Sequence, residues 1–256
     1  MKIGLNLFSL RNYLGSEESF LEAAKALKEM GYDYLQYSGG IFDADRIKRV
    51  SDESGIPIVL THVPMARILE DTEALIEEHR RFGCKYIGLG MMPLDLAKDK
   101  EKCYATIAAL EAAAEKIEAA GCKFFYHHHH FEFFRHDGET IFDLLIKNAP
   151  HVHFTLDSYW LQFGGVSICE TIDRLKGRAE CIHLKDYMIA LKNEEKTGFE
   201  PRFAPVGDGN INFAEVIRHA KAAGAEYFFV EQDNAAKLPD PLGQVERSIR
   251  YLKANF

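Results

Sequence analysis

Eight times along this chain a short apolar run rich in β-branched and aromatic residues gives way to a longer amphipathic stretch. That alternation is the sequence form of a parallel sheet whose strands are joined by crossover helices. It predicts strands at 2–8, 34–37, 58–62, 86–89, 124–129, 152–157, 181–185 and 227–231. Helices are predicted near 17–30, 44–53, 72–82, 100–120, 138–148, 167–175, 212–223 and 241–253. Gly31, Gly83, Gly121 and Gly224 each stand just past an apolar-periodic run, where a helix that turns back toward a strand favours a left-handed residue. Eight such units in 256 residues match the roughly 250 residues of one closed barrel. The chain therefore reads as α/β, a single-domain (β/α)8 barrel over residues 1–256. A doubly wound open sheet is the rival. Such a sheet carries a Gly-rich phosphate turn after its first strand, and here that place is taken by Ser9-Leu10-Arg11-Asn12-Tyr13.

Charge and composition narrow the partners. The formal net charge is −8 and the basic residues are scattered, which argues against nucleic acid and for a small neutral ligand. No run approaches the roughly 18 apolar residues that cross a bilayer, so no membrane association is expected. The N-terminus enters a strand-like segment without the features of an export signal. The five cysteines form no CxxC pair, as expected of reduced, buried thiols in a cytoplasm. One long connection, 187–209, holds two prolines and a polar stretch, and its length suits a substrate cover.

In a barrel of this kind reactive groups come from the C-terminal ends of the strands. Here those ends are polar although the strands before them are not. The third closes with His62, the fifth with His127-His128-His129-His130 followed by Glu132, and the sixth with Asp157. The seventh closes with His183, Lys185 and Asp186, and the eighth with Glu231, Gln232 and Asp233. Isolated ions are costly to bury, and convergence on a cation removes that cost. Carboxylates mixed with imidazoles suit manganese, cobalt, zinc or iron, and magnesium less well. Period-two alternation turns His128 and His130 away from the barrel axis, toward packing or surface roles. Lys185 and Asp186 either pair with each other or with neighbours or, for Lys185, meet a substrate. His62 is either held by backbone or in contact with substrate. Trp160 has core packing or stacking on a sugar face open to it. Gly207-Asp208-Gly209 shapes a turn, and His136, His151, His153 and His219 read as surface or capping residues.

The segments KIGLNLFSLR, GCKFFYHHHHFEF, HFTLDSYWL, IHLKDY, PVGDGNINF and FFVEQD together resemble the xylose-isomerase-like TIM-barrel superfamily of sugar isomerases and epimerases. The resemblance covers nearly the whole length. It implies a divalent metal held by side chains from late strands, usually Glu, Asp, His and Glu; Asp157, His183 and Glu231 match the last three. His127 stands where the usual glutamate would be. An inosose-dehydratase-like subgroup reads His-Asn-His there with a downstream Glu-Phe, and this chain keeps His127, His129, Glu132 and Phe133 while His128 replaces the Asn. The resemblance leaves His127 or Glu132 as the first ligand. It implies proton abstraction beside a metal-polarised carbonyl of a sugar, keto-sugar or inositol derivative, by an isomerase, an epimerase or a dehydratase-type lyase. Glu231, His129 and Lys185 are the candidate catalytic groups, with His62, Glu132, Trp160 and Arg11 as candidate substrate contacts. A small-molecule carbohydrate is the expected partner, and family barrels often form homo-oligomers. Two alternatives are a sugar-binding accessory barrel without catalysis and a DNA-repair enzyme of the endonuclease IV type, against which the acidic balance counts.

Overall fold

The computed structural model describes residues 1–192 and 197–256. Strands Gly4–Asn6, Tyr34–Tyr37, Ile58–His62, Tyr86–Leu89, Lys123–His127, Val152–Asp157, Cys181–Leu184 and Tyr227–Val230 pair in parallel in that order, and the last closes on the first. Closure runs through Gly4 opposite Phe229 and Leu5 opposite Val230. Nearly every strand residue is buried, because one face meets the helices and the other fills the barrel. Tyr34, Leu60, Phe125, Cys181 and Phe229 form one apolar layer inside. A Cβ on Gly4 would lie 2.3 Å from the Tyr34 ring, so this layer requires a glycine in the first strand.

That layer determines what lies above it. Side chains on one face of a strand recur every second residue. Two positions beyond the layer come Gln36, His62, His127, His183 and Glu231, and Asp157 stands two beyond buried Thr155. The floor is apolar and dry, and the next tier toward the C-terminal rim carries the ionisable groups.

The outer helices start and stop on local signals. Ser16, Asp43, Asp99, Thr140, Ser167, Asn212 and Asp240 each accept a backbone N–H of the first turn that follows. Gly31 and Gly224 end their helices at φ 98° and 94°, the left-handed caps expected from the sequence. The first strand is shorter than predicted. Asn6 accepts the N–H of Phe8, and the chain turns into a 3-10 helix over Leu7–Tyr13. The fifth strand also stops early, at His127, and a 3-10 turn Phe131–Phe133 follows. Short helices at Met65–Glu70, Leu94–Ala97 and Ser158–Phe163 were not expected; their residues are too few to show a period. At the 187–209 connection, Asp186–Leu191 and Phe199–Ala204 form an antiparallel ribbon, and 193–196 lie outside the described residues. All five cysteines are free thiols, four of them buried.

His79 gives the fold a measurable pH response. It is buried, its ring stacked on Phe42 with Phe82 alongside. Nδ1–H donates to the Leu75 carbonyl and Nε2 accepts from the Thr61 hydroxyl, both at 2.7 Å. Burial pushes its pKa down to about 4. The folded chain thus resists the proton that the unfolded chain takes up near pH 6.5. Its contribution is whole above pH 6.5 and is lost as pH falls toward 4, by about 3 kcal/mol. Urea unfolding across that window should show a smaller loss for His79→Gln than for the wild type.

Candidate metal centre

His127, Asp157, His183 and Glu231 each offer a ligand atom, and the four atoms lie within 4.8 Å of one another. His127 and Asp157 end their strands, and Glu231 follows its strand directly. The whole group is buried. His183 Nδ1 is 2.7 Å from Glu231 Oε2 and 3.8 Å from Asp157 Oδ2. His127 Nε2 is 3.4 Å from the same Asp157 oxygen. Asp157 Oδ1 accepts the N–H of Trp160 at 2.9 Å, which caps the following helix and leaves Oδ2 for the group.

The residues fit a divalent cation. His183 Nδ1, Glu231 Oε2 and Asp157 Oδ2 converge with His127 Nε2 in a buried group, two imidazole nitrogens and two carboxylate oxygens, the donor types that a divalent cation takes. His127 Nδ1–H donates to the carbonyl of Gly90 at 2.9 Å, and His183 Nε2 faces Gln36 Oε1 at 2.7 Å. Each imidazole is thus held by its outer nitrogen and presents the inner one, as metal-binding histidines do. Burial opposes ionisation of Asp157 and Glu231, yet the Lys185 ammonium and the imidazoles outweigh it and hold both carboxyls well below their usual range. Burial likewise opposes a charged His183, and the Glu231 and Asp157 carboxylates overcome it, raising its pKa.

Lys185 is only 1 % exposed, and its Nζ lies 3.2 Å from Asp157, 3.4 Å from Glu231 and 2.9 Å from Asp233. The three carboxylates more than offset burial and raise its pKa. Of the pairings the sequence offered, Lys185 thus takes those with neighbours and not the one with Asp186. Asp186 instead accepts the N–H groups of Tyr187, Gly207, Gly209 and Ile211, fastening the turn that follows the ribbon. Asp233, part of the strand-end run but not singled out as a site residue, is the third carboxylate.

A cavity of about 430 Å³ opens above the group, with His62, His127, His129, Lys185, Glu231 and Asp233 on its polar side and Phe8, Val63, Met65 and Leu89 among its apolar walls. His62 Nε2 lies 2.8 Å from Gln36 Nε2. Burial, with His127 and His183 adding to it, drives the His62 pKa well down. Burial, with His127 and Lys185 adding to it, brings His129 down to about 2.

Other expected contacts lie elsewhere. Glu132 does not line this cavity: it is fully buried, with Tyr126 O–H donating to one oxygen at 2.7 Å and His129 N–H to the other at 2.8 Å. Burial pushes its pKa up to about 7. The structure brings His127, not Glu132, into the four-donor group. Trp160 stands behind Lys185, whose Nζ is 5.0 Å from the ring centre, and stacks on His130. Arg11 donates to the carbonyls of Phe8 and Asp233 and lines a neighbouring cleft that shares Gly39, Gly40 and Pro64 with the main cavity. His128 turns outward as alternation predicted, and its Nε2 accepts the Asp157 N–H at 3.1 Å. His136 is buried rather than at the surface and donates to the Ala97 carbonyl. Sequence reading missed Gln36. The available signal was an amide in an apolar strand, two residues past Tyr34.

The fold and the rim define a (β/α)8 barrel whose buried acidic and imidazole groups could hold a metal ion. The family model for the xylose isomerase-like TIM barrel matches residues 24–255, and the chain belongs to that family. Solved structures share the fold. A sugar phosphate isomerase/epimerase from Parabacteroides distasonis superposes with a TM-score of 0.81 at 23% identity, over 99% of this chain and 94% of its own. A protein described as the probable 3-DHS dehydratase of petrobactin synthesis in Bacillus anthracis gives 0.71 at 14% identity, over 100% of both chains. A xylose isomerase-like TIM barrel protein from Mycobacterium smegmatis, in complex with magnesium, gives 0.72 at 15% identity, over 98% of this chain and 95% of its own. A search of curated proteins returned no match.

Proposed function

We propose that this protein is a divalent-metal-dependent enzyme that moves a proton at the carbon beside a carbonyl of a sugar, keto-sugar or inositol derivative, as an isomerase or epimerase or, where a hydroxyl is lost, as a dehydratase. The observation that carries the reading is the meeting of His127, Asp157, His183 and Glu231, all buried, under one cavity. Structural relatives named as a sugar phosphate isomerase/epimerase and a dehydratase support the same pair of reactions. Those four residues hold the cation. Two imidazoles with two carboxylates suit manganese, cobalt or zinc, with magnesium and iron as weaker fits. The magnesium complex of the mycobacterial relative supports a divalent ion in such a barrel. When bound, the cation supplies positive charge that polarises a carbonyl and stabilises negative charge growing on its oxygen.

The chain's own groups do the rest. Glu231 faces the cavity as the proton-accepting group, and His129, held neutral, lines it as a hydrogen-bonding contact. Lys185, kept charged by three carboxylates, donates a hydrogen bond to the substrate oxygen. Phe8, Met65 and Leu89 exclude water from that side. His62 contacts the substrate directly. Arg11 reaches only a substrate that extends past Gly39 and Gly40. Glu132 acts through the His129 backbone it holds, and Trp160 through the Lys185 side chain. The endonuclease alternative has little support: among the described residues one four-membered metal group is present, on a chain of net charge −8.

The test is turnover of ketohexoses, keto-inositols and 3-keto-glycosides by protein stripped with chelator and reloaded with manganese, cobalt, zinc or magnesium. Activity should appear only on reloading, and thermal unfolding should shift upward, by about 2.7 kcal/mol of stability at a metal concentration 100 times Kd. Metal binding without turnover across the panel would point to the accessory-barrel reading; no metal-dependent shift would sink the proposal.

A further inference from the structure

Gln36 joins two histidines that serve different ends of the site. Its side chain is fully buried in the second strand. Oε1 lies 2.7 Å from His183 Nε2, and Nε2 lies 2.8 Å from His62 Nε2. An amide has one accepting and one donating end, so it cannot treat the two rings alike.

The direction follows from the metal group. A ligand nitrogen must be free of its proton, and His183 Nδ1 is the atom that faces Glu231 and Asp157. Its proton therefore sits on Nε2 and needs an acceptor, which is Gln36 Oε1. The amide NH2 is then committed to His62, whose Nε2 must accept. The His62 proton is left on Nδ1, the ring edge that faces Ser38 and Gly90 on the cavity wall. The crowding there is tight: a Cβ on Gly90 would lie 3.0 Å from His62 Nδ1.

We propose that Gln36 is a positioning residue that sets the tautomers of both rings, presenting His183 Nδ1 to the cation and making His62 a fixed N–H donor toward the substrate. The substrate then meets His62 with an acceptor oxygen, a carbonyl or hydroxyl, and an ammonium group at that position is rejected. The statement about substrate rests on the reaction proposed above, whereas the tautomers rest only on its metal site.

Long-range proton–nitrogen spectra of protein labelled with 15N-histidine, loaded with zinc, read the tautomers directly. In the wild type His62 should be protonated at Nδ1 and bare at Nε2, with His183 carrying its proton on Nε2. In the near-isosteric Gln36→Met variant His62 should spread over both tautomers, and zinc affinity by calorimetry should fall at least tenfold, within the roughly 10- to 100-fold typical of losing such a partner. A wild-type His62 protonated at Nε2 would overturn the inference, and that spectrum decides even if the variant fails to fold. Wild-type tautomers and zinc affinity in Gln36→Met would overturn it equally. The expected tautomers without turnover of any carbohydrate would leave this inference standing and count against the proposed function alone.

Discussion

Asp157→Asn should lose metal affinity by about 3 kcal/mol, or on the order of 100-fold, the scale of removing one partner from a buried charged group. Asparagine is the informative replacement because it can keep the carbonyl oxygen that accepts Trp160 N–H, so the helix cap survives. What disappears is the charge on the oxygen facing His127, His183 and Lys185. Calorimetric titration with manganese or zinc measures the loss, and turnover of any substrate found should fall with it. Unchanged affinity would mean that the cation, if any, binds elsewhere.

The second large effect is expected at Lys185. Replacing it with Met keeps the stem beside Trp160 and Phe203 but leaves Asp157, Glu231 and Asp233 close together without their shared cation. Removing one partner of a buried ionic set typically costs about 3–5 kcal/mol. The metal-free variant should lose about that much stability in denaturant unfolding. Manganese should restore much of it, because a divalent ion supplies positive charge to two of the same carboxylates. The signature is therefore a stability increment on metal addition that is larger in Lys185→Met than in the wild type. Equal increments would show that lysine and metal do not share those carboxylates. Turnover should stay low even with metal bound, since the donor to the substrate oxygen is gone.

Much of this protein was legible without coordinates. The eight strand–helix rounds led to the closed barrel because each strand's burial on both faces demands an apolar run, and each helix's single buried stripe demands a period. Asp157, His183 and Glu231 stood out because each follows such a run. His127 could be placed inward from Phe125 by counting in twos. The same counting turned His128 outward, where it holds the Asp157 backbone.

Other features had no local signal. Glu132 was read as a substrate contact, yet it holds Tyr126 and the His129 turn, because the fifth strand stops two residues early and the chain curls into a 3-10 turn. Lys185 has an acid next to it in the chain, but its partners lie 28, 46 and 48 residues away in sequence, on two other strand ends. Gln36 acts on rings from the third and seventh strands at once. Periodicity and propensity are local properties, so the sequence alone determined the order of elements, their inward faces and the residue types at the rim. Which rim groups touch depends on strand register and barrel closure, which sum contacts over the whole chain, and only the tertiary structure decided it.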